Sequence, residues 1–151
     1  MVAPREGNSA MFKVVVVGAD DSPTARRAVE AATEMAAMSN GELHIVTAYS
    51  TPVVRDGHLP SEFRHLSHDG DIDAVLQVLS FIPKKRGIEP TLHSVTGDPA
   101  EAIIKKATEL KADLVVVGNR GMRGVRRVLG SVPNTVAHGA PCSVAIIDTS
   151  E

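Results

Sequence analysis

The chain has 151 residues, 43% hydrophobic and 23% charged, values typical of one soluble globular domain. Its 16 Lys and Arg against 18 Asp and Glu give a net charge of −2, which disfavours binding to nucleic acid or an anionic membrane by bulk electrostatics. A single cysteine, Cys142, excludes an internal disulfide and favours a reducing compartment, and the scarcity of aromatic residues disfavours base-stacking platforms.

The start of the chain and the length of its apolar runs indicate whether to expect a targeting or membrane-spanning segment. Residues 1–10 contain no long apolar segment, so we expect a disordered extension before a single domain spanning residues 11–151. The longest apolar runs, such as Val14–Val17, are far shorter than the roughly 20 residues that a membrane-spanning helix needs. We therefore expect a cytoplasmic protein with no membrane partner.

The first predicted elements are a strand, a helix and a second strand. Phe12–Val17 is a β-branched run too continuous for a strand with a solvated face, which predicts a central parallel strand. Ser22 as cap and Pro23 at the first helical position predict a helix, which we expect to stop at Gly41. Leu43–Tyr49 is the second predicted strand.

Thr51–Gly70 follows with prolines, glycines and histidines in no regular period, and it predicts a long surface loop. His65 and His68 lie near several aspartates and have ligand-type side chains. No distant partner is identifiable, and polar side chains in loops are usually hydrated. We therefore predict no metal site.

The second half of the chain alternates helices and strands. Apolar residues within 72–82 predict a helix that Pro83 should end or kink before Gly87, and Leu92–Val95 predicts a weaker third strand. Asp98, with Glu101 three residues later, is a capping sequence for a third helix. The remaining predicted elements are a strand, a short helix and a last strand: Asp113–Val117, Ser131–His138 and Ser143–Ile147.

Strands that alternate with helices predict one α/β domain, an open twisted parallel sheet with helices on both faces. Ligands bind such sheets beyond the carboxyl ends of the strands, where the strand order reverses. Two predicted strand ends are unusual here. Asp20 follows the first strand, and a glycine- and arginine-rich stretch follows the fourth, from Gly118 to Ser131. Glycines let a ligand approach the backbone closely, and the N-terminus of a helix favours an anion. We therefore expect the ligand to carry a phosphate group.

Two common phosphate motifs are absent from this stretch. A Walker A loop ends in Gly-Lys-Ser/Thr, but here Leu129 and Gly130 precede Ser131, with no lysine. The dinucleotide fingerprint G-x-G-x-x-G differs from the G-x-x-G-x-x-G spacing found here, which also follows the fourth strand instead of the first.

The spacing Gly118-x2-Gly121-x8-Gly130-Ser131 resembles the motif of the universal stress protein family. The likeness runs over residues 11–148 and implies a five-stranded sheet in the order 3-2-1-4-5. Gly121 and Gly130 enclose one residue fewer than in the family's usual nucleotide-binding members. Further matching segments are Val17–Ser22, Gly97–Pro99, Ala112–Gly118, Gly130–Val132 and Ala140–Val144.

The resemblance also implies a ligand and the residues that bind it. The expected ligand is an adenine nucleotide, ATP with a divalent cation such as Mg²⁺, and the alternative is cyclic AMP, which some relatives bind. Ala19 and Asp20 would lie near the ribose and adenine, and backbone groups of Ala48 would contact the adenine edge. The phosphates would be held by Gly118, Gly121, Gly130, Ser131 and Val132.

Other interpretations of these residues stay open. Asp20 could cap the first helix, and the glycines could be ordinary turn residues. At the level of function, the alternatives are a nucleotide-independent interaction module and a small enzyme of another α/β family. No catalytic arrangement can be singled out, so we expect a regulator or sensor with at most slow ATP hydrolysis.

The resemblance places the last strand at the sheet edge. An apolar edge is an aggregation liability unless another chain covers it. We therefore predict a homodimer held by residues 142–148.

Overall fold

The computed structural model describes residues 11–20, 22–49, 68–119 and 131–149. The predicted extension 1–10 and most of the predicted loop Thr51–Gly70 lie outside these ranges. The elements, in chain order, are β1 Val14–Gly18, α1 Ala25–Ser39, β2 Glu42–Tyr49, α2 His68–Lys84, β3 Thr91–Thr96, α3 Pro99–Glu109, β4 Leu114–Gly118, α4 Val132–Gly139 and β5 Ser143–Ile147.

The five strands form one parallel sheet in the order β3-β2-β1-β4-β5. This confirms the predicted fold class and strand order. The chain builds outward from β1 through β2 to β3, then crosses to the other side for β4 and β5. The strand order therefore reverses between β1 and β4, where the loops leaving the two strands diverge.

Helices cover both faces of the sheet, and alternate residues of β1 serve the two cores. Val15 and Val17 pack beneath α1 and α2. Val16 packs beneath α3 and α4. All three valines are fully buried, as the continuous β-branched run predicted for a central strand.

The ends of α1 differ from the prediction. The helix begins at Ala25, whose N–H is bonded to both the carbonyl and the Oγ of Ser22, so Ser22 stabilises a turn before the helix and is not its first cap. At the other end Asn40, with φ 51°, takes the left-handed conformation assigned to a glycine stop. Gly41 is needed for space instead, because a Cβ there would collide with the Phe12 carbonyl oxygen.

Helix α2 begins at His68, so the predicted loop is wrong for residues 68–70. Its apolar periodicity starts only at Ile72, which left the first turn without an apolar signal. Pro83 lies within the last turn, and the helix ends at Lys84, before Gly87 as predicted. Across the described ranges, no helix has the length and apolar character needed to cross a membrane.

Candidate functional site

A cleft of about 430 Å³ opens at the carboxyl edge of the sheet, where the strand order reverses. It lies beyond the ends of β1, β2 and β4 and is bordered by the starts of α1, α3 and α4. The lining residues are Gly18, Ala19, Asp20, Ser22, Thr24, Ala25, Ala28, Val46, Ala48, Pro99, Ile103, Val117, Gly118, Ser131, Val132 and Pro133.

The walls of this cleft are mostly aliphatic. Val46, Ile103 and Val117 belong to the buried core beneath α3 and α4, and their side chains reach the cleft from below. Within the described part of the lining, Asp20 is the one charged side chain. Apolar walls with a few polar groups suit a ligand that has a flat apolar part and a small number of polar anchors.

The end of β1 borders the cleft through Gly18 and Ala19. The N–H of Ala19 donates to the Val46 carbonyl over 3.0 Å, which extends the β1–β2 pairing past Gly18. A Cβ at Gly18 would collide with the Ile103 side chain. Glycine therefore lets α3 pack close to β1 directly beneath the cleft.

The carboxylate of Asp20 is held at the rim of the cleft. Its Oδ1 accepts a hydrogen bond of 2.8 Å from the Ser22 N–H, which closes a short turn ahead of α1. Ser22 Oγ lies 3.0 Å from Thr24 Oγ1. The Asp20–Ser22 bond lies in the turn before α1, so Asp20 does not cap the helix itself, and the bond fixes an exposed carboxylate beside the cleft.

The N-terminus of helix α4 borders the cleft. Its N-cap residue Ser131 is extended (φ −63°, ψ 151°), and its side chain makes no capping hydrogen bond. The Oγ of Ser131 is buried and has no hydrogen-bond partner in the described ranges. The N–H groups of Val132 and Asn134 precede the first intrahelical donor, Thr135, so the helix itself supplies no acceptor for them.

The other two helix starts at the cleft already have acceptors. Asp98 Oδ2 accepts from the Glu101 N–H over 3.1 Å at α3, as the capping sequence predicted. Ser22 Oγ accepts from the Ala25 N–H over 3.3 Å at α1. At the start of α4, by contrast, no side chain among the described residues accepts from the first N–H groups, so these donors are available to an anion.

A second polar cluster lies away from the cleft, between the sheet and α3. His44 Nδ1 lies 3.0 Å from His93 Nε2, and His44 Nε2 lies 3.2 Å from the Glu42 carboxylate. Burial, and then the charges of His44 and Lys106, lower the pKa of His93, while Glu109 opposes the shift. Neither histidine lines the cleft.

Cys142, at the entry to β5, is also separate from the cleft. Burial raises the pKa of its thiol, with a further contribution from Asp113. This favours the neutral thiol expected of a packing residue. Among the residues whose positions the structure gives, no group of three His, Cys, Asp or Glu side chains could hold a metal ion.

Comparison with known proteins identifies the family. The sequence profile of the universal stress protein family matches residues 11–148. The chain belongs to the universal stress protein family. Universal stress protein Rv1636 of Mycobacterium tuberculosis is 33% identical over 145 residues, covering 92% of this chain and 98% of the relative.

Two solved universal stress protein structures contain nucleotides. One, in complex with cyclic AMP, is 37% identical, has a TM-score of 0.75, and covers 92% of this chain and 98% of its own. The other, from Archaeoglobus fulgidus in complex with dAMP, is 25% identical with a TM-score of 0.67, covering 91% of this chain and 98% of its own.

The structure brings most of the predicted universal stress protein site residues together. Six of them line the cleft: Ala19, Asp20, Ala48, Gly118, Ser131 and Val132. Gly121 and Gly130 lie outside the described residues, and binding by any of the eight stays a prediction.

Sequence reasoning missed the apolar floor made by Val46, Ile103 and Val117, and the contacts of Asn119 behind Gly118. The apolar residues carry only a core signal in the sequence. A single Asn after a strand carries no recognisable signal.

Proposed function

We propose that this universal stress protein binds an adenine nucleotide in the cleft and acts in the cytoplasm as a regulator or sensor. The observation that carries the proposal is the start of α4, where the buried Ser131 Oγ makes no capping bond and has no hydrogen-bond partner among the described residues. A phosphate oxygen would accept from this hydroxyl and from first-turn N–H groups.

The rest of the cleft suits the other parts of an adenine nucleotide. The apolar floor at Val46, Ile103 and Val117 would contact a face of the base, and backbone groups at Ala48 would reach its edge. Asp20, at the rim, would accept hydrogen bonds from a ribose hydroxyl. The cyclic AMP and dAMP complexes of relatives support this assignment, since both ligands combine adenine, a sugar and one phosphate group.

A single-phosphate ligand, cyclic AMP, is the form that we favour. The lining that the structure describes contains a carboxylate and no cationic side chain to offset a triphosphate. The 37% identical structure supports this choice, because it contains cyclic AMP. The Gly121-x8-Gly130 spacing, one residue shorter than the ATP-binding pattern, agrees with it.

ATP with Mg²⁺ is the second candidate, supported by the glycine motif and its arginines. Mg²⁺ usually binds one or two carboxylates together with substrate phosphates. Asp20 is the carboxylate that would hold it in this cleft. The ion would offset the charge of the triphosphate.

Two measurements test the nucleotide proposal. The purified protein is denatured and any released nucleotide is identified by mass spectrometry. It is then titrated calorimetrically with cyclic AMP and with ATP, each with and without Mg²⁺. Tight cyclic AMP binding that Mg²⁺ does not alter supports the favoured form, and ATP binding that Mg²⁺ strengthens supports the second. A protein that binds neither ligand is a nucleotide-independent interaction module, contrary to the proposal.

We infer a binding protein and not a metabolic enzyme. In the part of the lining that the structure describes, no lysine and no pair of carboxylates is available for phosphoryl transfer. Positioning and charge stabilisation dominate that reaction, so any ATP hydrolysis should be slow.

We also infer a homodimer formed through residues 142–148. β5 lies at the sheet edge, and Ile146 is 37% exposed on it. A second copy pairing with this edge would bury the apolar side chains and satisfy the edge backbone groups.

Ile146→Asp should therefore yield monomer or aggregate in light scattering. Val78→Asp, at an exposed apolar residue of α2, is the matched control and should remain dimeric. A monomeric wild type, or an Ile146→Asp dimer as tight as wild type, would rule out this interface.

A further inference from the structure

Asn119, the residue after β4, is bonded through its backbone and its side chain to the segment that follows β5. Its N–H donates to the Ile147 carbonyl over 2.9 Å, and its Nδ2 donates to Asp148 Oδ1 over 3.2 Å. Its Oδ1 accepts from the Thr149 N–H over 3.1 Å and from Thr149 Oγ1 over 3.0 Å. We call the contacts between Asn119 and Thr149 the clasp.

Thr149 is buried although it lies beyond the last strand. It is 3% exposed, and its Cγ2 would lie 2.9 Å from a Cβ placed on Gly118. The methyl group thus fills the space that a side chain at 118 would need. One reason for glycine at this position is therefore the packing of Thr149 against β4, in addition to any approach of a ligand.

The clasp adjoins the cleft without lining it. Gly118 lines the cleft, whereas Asn119 and Thr149 lie behind it. The hydroxyl and amide bonds of Thr149 converge on one oxygen of Asn119 and tie it to the segment after β5. Asn119 directly follows Gly118, so these bonds restrain the backbone next to the part of the cleft that Gly118 lines.

We propose that Asn119 and Thr149 are positioning residues that hold the Gly118 wall of the cleft in its ligand-binding geometry. The inference rests on the proposed nucleotide function. Neither residue touches the ligand in this scheme. A loss of the clasp would weaken binding because the wall would have to be ordered each time a ligand binds.

The alternative is that the clasp contributes only to stability. Asp113 offers a matched comparison, because its Oδ2 accepts from the Lys13 and Val14 N–H groups over 3.0 and 2.9 Å at the opposite end of β4. Asp113→Ala removes an equivalent link between the sheet and a loop without touching the cleft. It therefore reports what lost stability alone does to affinity.

The test compares Thr149→Val, Thr149→Ser, Asn119→Ala and Asp113→Ala with wild type. Thr149→Val keeps the methyl and loses the hydroxyl, and Thr149→Ser keeps the hydroxyl. Affinities for cyclic AMP and for ATP with Mg²⁺ are measured by calorimetry well below each melting temperature, and amide hydrogen exchange is followed at Gly118. We expect Thr149→Val to bind roughly tenfold more weakly, with faster exchange at Gly118, and Asn119→Ala to lose at least as much.

Rescue by the conservative variant separates positioning from stability. Thr149→Ser should restore affinity, and Asp113→Ala should bind like wild type although it melts at a lower temperature. Wild-type affinity in Thr149→Val overturns this inference alone, and so does an equal loss in Asp113→Ala. A wild type that binds neither nucleotide overturns the proposed function and this inference with it.

Discussion

The two ends of the sheet treat their backbone hydrogen-bonding groups differently. At the amino end the chain satisfies its own groups: Asp113 accepts from the N–H groups of Lys13 and Val14, and the Asp113 N–H donates to the Val14 carbonyl. At the carboxyl end, the Ser131 side chain makes no capping bond at the start of α4, and its buried Oγ has no partner among the described residues.

We therefore expect substitutions at the amino end of the sheet to affect stability, and substitutions at the carboxyl end to affect ligand binding. In a parallel sheet with helical crossovers, every helix N-terminus faces the carboxyl end, so strand direction alone brings several anion-attracting helix starts together. Capping then decides which of them stays available. Asp98 and Ser22 accept from backbone N–H groups at α3 and α1, whereas no described side chain accepts from the first N–H groups of α4.

The largest expected effect on stability comes from substituting a glycine at each end of the sheet. At the amino end, a Cβ on Gly41 would collide with the backbone carbonyl of Phe12 and lie 2.9 Å from that of Lys13. Backbone atoms cannot rotate away, so Gly41→Ala should lower the free energy of unfolding by about 3 kcal/mol. At the carboxyl end, the Cβ of Gly18→Ala meets the tip of Ile103, a side chain that can change rotamer. Its stability loss should be smaller, about 1 kcal/mol.

Nucleotide affinity should show the opposite ranking. Gly41→Ala lies far from the cleft and should bind like wild type, whereas Gly18→Ala displaces Ile103 in the cleft floor and should bind more weakly. Urea denaturation and calorimetric titration measure the two quantities. A Gly18→Ala variant that is less stable than Gly41→Ala, yet binds normally, would contradict the division between the ends.

Two carboxylates at the carboxyl end of the sheet distinguish an effect on ligand binding from an effect on stability. Asp20 and Asp98 each accept a backbone N–H, but only Asp20 lines the cleft. Asp20→Ala should weaken nucleotide binding by about 1–3 kcal/mol, because a hydrogen bond to a charged group is lost. Asp98→Ala should leave affinity unchanged and lower the free energy of unfolding by about 1 kcal/mol through the lost cap. Equal affinities for the two variants would reduce Asp20 to a turn residue.

Much of the fold was predictable because its signals are local. Buried parallel strands appear as β-branched runs, and the cap at Asp98 depends on residues three positions apart. The errors occur where tertiary contacts decide. Asn40, and not Gly41, takes the left-handed conformation at the end of α1, and Gly41 instead leaves room for the Phe12 backbone.

The position of the site was predictable from the sequence, but the contacts that shape it were less so. Asp20, Gly118 and Ser131 were expected to reach the ligand, and all three line the cleft. The packing of Thr149 on Gly118 joins residues about 30 positions apart and has no sequence period. The apolar floor has no signal of its own, because a core valine and a cleft valine look alike in a sequence.

The smallest expected effect concerns pH and the histidine pair near the amino end of β2. The Glu42 carboxylate lies 3.2 Å from His44 Nε2, and His44 Nδ1 lies 3.0 Å from His93 Nε2. Facing this pair from α3 are Lys106, which disfavours a charge on His93, and Glu109, which favours it. Burial, the largest cause, keeps the pKa of folded His93 below its ordinary 6.5.

The unfolded chain therefore binds more protons than the folded chain as pH falls below 6.5, and stability should decrease there. Above 6.5 the ring is neutral in both states and this loss is absent. His93→Gln keeps an N–H donor for His44 but cannot titrate, so its free energy of unfolding should fall less than that of wild type between about pH 7.5 and about pH 5.5. Urea denaturation at the two pH values measures both slopes, and parallel curves for wild type and His93→Gln would show that the pair does not resist protonation.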